Sequence, residues 1–127
     1  MRILLDTHLI LWWVSNDSSL SEPARALIGA PEYMIFVSAV SIWEIWLKEG
    51  LGKLRLPPHF EATLESESFE SLPLTAAHAR QAALLPWRHR DPFDRLLVAQ
   101  AQVEDLVLLT ADDLVASYGR FVKCVRD

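Results

Sequence analysis

At 127 residues the chain is shorter than the roughly 150 commonly allotted to one domain, so a single domain over residues 1–127 is expected and a second catalytic domain is excluded. With 51% apolar and 23% charged residues it can bury a sizeable core, which excludes a disordered chain. Twelve Lys and Arg against 17 Asp and Glu leave a net charge of −5, the wrong sign for gripping nucleic acid by overall field, so a phosphate-bearing substrate would have to be held by a local feature.

The predicted elements alternate. Ile3 to Leu5 is a short apolar run that reads as a buried strand, ending at Asp6-Thr7, where a helix starts. Ser21 ahead of Glu22-Pro23 caps the next helix, which Gly29 stops. Met34 to Val37 is a second buried strand. Ser38 can cap a helix over Ala39 to Glu49 closed by Gly50 and Gly52; its residues Val40, Ile42, Trp43, Ile45, Trp46 and Leu47 leave almost no polar stripe, so it should be covered on most sides. A short helix after Pro58, a brief strand near Phe69 to Leu72 and a Thr75-capped helix over Ala76 to Leu85 follow, and Pro86 ends the last of these. Asp91-Pro92 opens a helix running to about Glu104, Leu106 to Leu109 is the clearest strand, and Phe121 to Val125 alternates as a final edge strand. Short continuous apolar strands separated by helices indicate an α/β fold with a parallel sheet covered on both faces.

In open sheets of this kind ligands bind beyond the carboxyl ends of the strands. Asp6 follows the first strand and Asp112 the fourth, so the two meet at one mouth if those strands are neighbours. Asp94 falls in the first turn of the helix feeding the fourth strand, and Glu44 lies about two turns into the helix leaving the second. Each has a plainer reading. Asp91 is a good N-cap before a proline, Asp94 suits a helix dipole, Glu44 can pair with Lys48 at i+4, and Asp6, Asp112 or Asp113 can cap the helix that follows. Their conjunction says more, because two unit charges about 4 Å apart repel by about 4 kcal/mol at an effective dielectric near 20. A cluster of ionised carboxylates therefore needs a cation or must protonate. Oxygen donors without histidine or thiolate select Mg²⁺ or Mn²⁺, which points to metal-assisted hydrolysis or transfer at phosphate and reverses the local sign of the charge.

The segments Ile3-Leu4-Leu5-Asp6-Thr7-His8, Ser38-Ala39-Val40-Ser41-Ile42-Trp43-Glu44-Ile45, His89-Arg90-Asp91-Pro92-Phe93-Asp94-Arg95-Leu96-Leu97 and Leu109-Thr110-Ala111-Asp112 together resemble, in order, the motif series of PIN-domain ribonucleases. More narrowly, the chain resembles VapC-type toxins of type II toxin-antitoxin pairs. The resemblance implies a PIN-like fold, with a parallel sheet in the order 3-2-1-4-5 flanked by helices on both faces. It implies endonucleolytic cleavage of RNA with Mg²⁺ or Mn²⁺, leaving a 3′-hydroxyl and a 5′-phosphate, together with a homodimer and a cognate antitoxin that inhibits it. By the same resemblance Asp6, Glu44 and Asp94 map onto the core acidic residues, Asp112 onto the more variable fourth, and Thr110 onto a hydroxyl position near the metal. The Thr-x-Asp spacing favours Asp112 over Asp113.

Arg88, Arg90 and Arg95, with His89, form the densest basic patch and are expected to contact RNA phosphates beside the cut; ordinary solvated or paired side chains are the plainer alternative. Ser38, Ser41 and Thr110 could orient waters or carboxylates, although Ser38 is equally a cap. The pairs Trp12-Trp13 and Trp43/Trp46 lie on apolar helices, and one of them is expected to line a dimer or antitoxin surface. Cys124 cannot form an internal disulfide and reads as a small core residue, while His8, His59, His78 and His89 match no zinc spacing. The longest apolar run, Leu9 to Val14, is far short of the roughly 20 residues that span a bilayer, and Arg2 and Asp6 spoil a secretory segment, so a soluble cytoplasmic protein is expected. Competing readings are a non-toxin PIN nuclease, a catalytically inactive α/β interaction module, and an aspartyl-phosphate phosphatase. The last usually carries a second Asp where this chain has His8.

Overall fold

The N-terminal apolar run forms β1 (Arg2–Leu5), and the chain turns at Asp6 into α1 (Thr7–Val14) in a computed structural model that describes residues 1–86 and 91–125. Then follow α2 (Glu22–Gly29), β2 (Met34–Ser38), α3 (Ala39–Gly50), α4 (Phe60–Ser66), β3 (Glu70–Leu72), α5 (Ala76–Leu84), α6 (Pro92–Glu104), β4 (Val107–Thr110), α7 (Asp113–Ala116) and β5 (Val122–Cys124). The caps fall where the sequence put them. Ser21, Ser38, Thr75 and Asp91 each accept a backbone N–H of the helix they precede, and Thr75 forms a capping box with the His78 ring. Beyond α3, Gly52 takes φ +73 while Lys53 N donates to Lys48 O at 2.9 Å, a left-handed closure that favours glycine.

The sheet is parallel throughout, in the order β3-β2-β1-β4-β5. Alternation along each strand divides the core in two. Leu4, Phe36, Leu72, Leu108 and Val122 face α5, α6 and α7, whereas Ile3, Leu5, Ile35, Val37 and Leu109 face α1, α2 and α4. Both faces being covered, the inner strands read as unbroken apolar runs. The order also makes β1 and β4 neighbours, with Leu5 in register with Leu109, so Asp6 and Thr110 leave the sheet side by side.

Two packing expectations need correction. α3 turns Val40, Ser41, Glu44 and Ile45 inward, a spacing that follows the helical period, and thereby leaves Trp43 57% and Trp46 41% exposed. The indoles meet Phe93 and Phe60 edge-on at centroid distances of 5.0 and 6.3 Å, and nothing in this chain covers the rest of that face among the described residues. Cys124 sits on the edge strand rather than in the core, its thiol half-exposed and donating to Asp113 Oδ1 at 3.6 Å.

Candidate metal centre

Asp6 is held at the end of β1 by its own backbone, its N–H donating to Leu109 O at 3.0 Å. Its carboxylate is buried, with Oδ1 accepting from Thr7 N at 2.7 Å and Oδ2 from the Thr110 hydroxyl at 2.6 Å. The same Thr110 oxygen accepts from Asp112 N at 3.1 Å, so one hydroxyl fixes Asp6 and positions the start of the α7 turn. Burial pushes the Asp6 carboxyl above its ordinary value; the bonds from Thr110 and Thr7 and the nearby His8 pull the other way, and the Glu44 charge adds to the rise. Asp112 caps α7 through Leu114 N at 2.8 Å, and with Asp6, His8 and Trp12 it lines a cleft of about 500 Å³.

Glu44 reaches the same region from α3. Only 3% of the residue is exposed, and its two oxygens differ: Oε2 accepts from Lys48 Nζ at 2.6 Å, whereas Oε1 is buried with no hydrogen-bond partner. The Lys48 ammonium is held above its ordinary pKa first by the bond to Glu44, and the charges of Asp91 and Asp94 act in the same direction. Asp91 is a cap, with Oδ1 accepting from Phe93 N at 2.9 Å and Asp94 N at 3.2 Å, and this fixes the first turn of α6 from which Asp94 projects. Glu44 and Lys48 line a groove of about 760 Å³ that shares His8 and Trp12 with the Asp6 cleft.

The structure thus joins Asp6 to Thr110 and Asp112, sets Glu44 within the field of Asp6, and pairs Glu44 with Lys48, whose ammonium also lies in the field of Asp91 and Asp94. Among the described residues no three His, Cys, Asp or Glu side chains close upon a single point as a finished metal cage. The crowding of acids is met in part within the chain itself, by the ammonium on Glu44 and by the burial that raises the Asp6 pKa. The donor set still fits a hard cation. It is all oxygen, and a buried carboxylate oxygen without a hydrogen-bond partner is costly unless a cation completes it.

Other expected site residues lie elsewhere. Ser38 Oγ donates to Gln100 Oε1 at 2.5 Å and accepts from Val40 N at 2.9 Å, so it joins α3 to α6 as a cap and takes no part in the acidic site. Arg95 is 4% exposed, and its guanidinium donates to Ala82 O, Leu85 O and Pro86 O at 2.6, 3.1 and 2.9 Å, closing the end of α5. Burial on those carbonyls removes it from an RNA-facing patch. Arg88 and Arg90 lie outside the described residues. Three residues near the site escaped the sequence reading: Lys48, weighed only as a helix-surface partner; His8, whose charge acts on Asp6; and Thr7, whose hydroxyl donates to Ser41 Oγ at 2.9 Å and ties α1 to α3. The i+4 spacing of Glu44 and Lys48 was the one available signal.

The PIN domain family profile matches residues 3–120. This chain belongs to the PIN-domain family. Its relatives include ribonuclease VapC22 of Mycobacterium tuberculosis (strain ATCC 25618 / H37Rv), 30% identical over 119 residues that cover 91% of each chain. Among solved structures this PIN domain is similar to a chain of VapBC2 from Rickettsia felis bound to a promoter DNA fragment, with TM-score 0.72, 15% identity and 98% of each chain covered. A toxin-antitoxin complex from Klebsiella pneumoniae gives TM-score 0.69 and 17% identity over 95% of each chain. At such identities these structures speak for the fold alone.

Proposed function

We propose that this chain, a single PIN domain over residues 1–127, is a Mg²⁺- or Mn²⁺-dependent endoribonuclease toxin that hydrolyses RNA phosphodiester bonds and is neutralised by a cognate antitoxin. The observation that carries the reading is Glu44 Oε1, a buried carboxylate oxygen without a hydrogen-bond partner in the field of the buried Asp6. Asp6, Glu44, Asp94 and Asp112 would hold the ions. Bound divalent ions supply charge neutralisation at the phosphate and an acidified water for attack. Thr110 keeps Asp6 Oδ2 in one orientation, and the α7 turn holds Asp112 at the rim. Arg88 and Arg90 remain proposed phosphate contacts, which an acidic protein needs close to the cut.

The family relationship to ribonuclease VapC22 supports RNA as substrate, and the likeness to chains from toxin-antitoxin complexes supports an antitoxin partner. The exposed indoles of Trp43 and Trp46 support a covered α3 face, in a homodimer or beneath the antitoxin. No helix among the described residues is long and apolar enough to cross a membrane, and a cytoplasmic location completes the proposal. The test is RNA cleavage by the purified chain with Mg²⁺ or Mn²⁺, with EDTA, and with Asp6→Asn. Cleavage should require the metal and vanish in the variant. Undiminished cleavage by rigorously purified Asp6→Asn protein overturns the assignment.

A further inference from the structure

We propose that Lys48 is a resident counter-cation of the acidic site: its ammonium occupies one oxygen of Glu44 in the ion-free protein and must swing away when a divalent ion binds. This rests on the metal-dependent reading above and assigns Lys48 the task of weakening ion binding while holding the ion-free site together.

The geometry distinguishes this pair from an ordinary helix-surface ion pair. One partner is buried, with the Glu44 side chain 4% exposed, while the Lys48 side chain is 38% exposed. The ammonium therefore reaches inward to the acid instead of both groups meeting in water. It satisfies Oε2 alone at 2.6 Å and leaves Oε1 unbonded, a half-completed carboxylate. An ion that completes the free Oε1 would set its charge against the ammonium on the other oxygen of the same carboxylate, and this repulsion opposes binding while Lys48 stays. The long flexible stem has somewhere to go, since Lys48 borders the open groove that also takes in Asp17, Lys53 and Arg55.

The test uses protein stripped with EDTA, in wild type, Lys48→Met and Lys48→Arg. Mn²⁺ is titrated calorimetrically, and thermal melting is recorded in EDTA and in saturating MnCl₂. Lys48→Met should bind Mn²⁺ about tenfold more tightly, equivalent to about 1.4 kcal/mol. It should melt below wild type in EDTA and draw level in MnCl₂, whereas Lys48→Arg, which keeps the charge, stays within about twofold of the wild-type Kd. Unchanged or weaker Mn²⁺ binding by Lys48→Met overturns the proposal, as does a melting deficit that persists undiminished in MnCl₂, the behaviour of a purely structural ion pair. If wild type itself fails to bind Mn²⁺, the metal-dependent reading falls and takes this one with it. Normal wild-type binding with an unresponsive Lys48→Met refutes the resident cation alone.

Discussion

Replacing Arg95 with Met tests whether this arginine serves the fold or the substrate. Its guanidinium supplies the donors for Ala82 O, Leu85 O and Pro86 O from a position that is 4% exposed, and its charge lies at the negative end of α5. A hydrogen bond to a charged group is worth about 1.5–3 kcal/mol, and these three share one donor group and act as a unit. Because carbonyls near a helix end recover part of their hydration, the loss should total about 3–4 kcal/mol. For 127 residues at about 2.1 cal/mol/K each, the unfolding entropy is about 0.27 kcal/mol/K, which converts that loss into a Tm drop of about 11–15 °C. Arg95→Lys keeps the charge without the fork and should recover about half. Thermal melting gives the first number. RNA affinity measured well below the transition gives the second, and it should stay within about twofold of wild type. A variant that melts within about 2 °C of wild type and loses more than about tenfold in RNA affinity would return Arg95 to the substrate footprint.

Asp6→Asn, besides abolishing cleavage, should alter stability with a definite sign. A carboxyl raised above 3.8 in the folded state binds more protons there than in the unfolded chain, so the contribution of Asp6 to stability is fullest below about that value and is lost as pH rises through the folded-state pKa. In EDTA at pH 7 the variant should therefore melt a few degrees above wild type, with the difference closing toward pH 4; a lower melting temperature at pH 7 contradicts the burial argument. Thr110→Val keeps the shape but strips Asp6 Oδ2 and Asp112 N of their shared partner, at a cost of about 1.5–3 kcal/mol. It should also move the acid limb of the cleavage pH profile upward, because the Thr110 bond favours ionised Asp6; an unshifted profile would reduce Thr110 to a packing residue.

The strands and caps were legible because their signals are local: a run such as Leu106 to Leu109, or Asp91 before Pro92, needs only its neighbours to be read. Sheet order is not local. It reached the sequence reading only through the PIN-domain resemblance, and it is what puts Thr110 on Asp6 across a separation of 104 residues. Helix phase is a third kind of information, and it serves one helix of the site better than the other. Asp94 and Arg95 are adjacent in sequence and so about 100° apart around α6. On α6 phase does not choose between them, because Leu97, Val98, Ala99, Gln100 and Ala101 are buried nearly all round the helix; what draws Arg95 inward is the set of carbonyls at the end of α5, a contact between helices that one helix's own pattern does not carry. On α3 phase decides more, placing Glu44 with Val40, Ser41 and Ile45 and turning Trp43 and Trp46 away. What phase alone could not settle is Lys48. The i+4 pair with Glu44 looks the same on a solvated helix as over a buried carboxylate, and only the packing of α3 against α1 and α6 decides whether the glutamate is in water or walled in. That packing makes the lysine a participant in the electrostatics of the site.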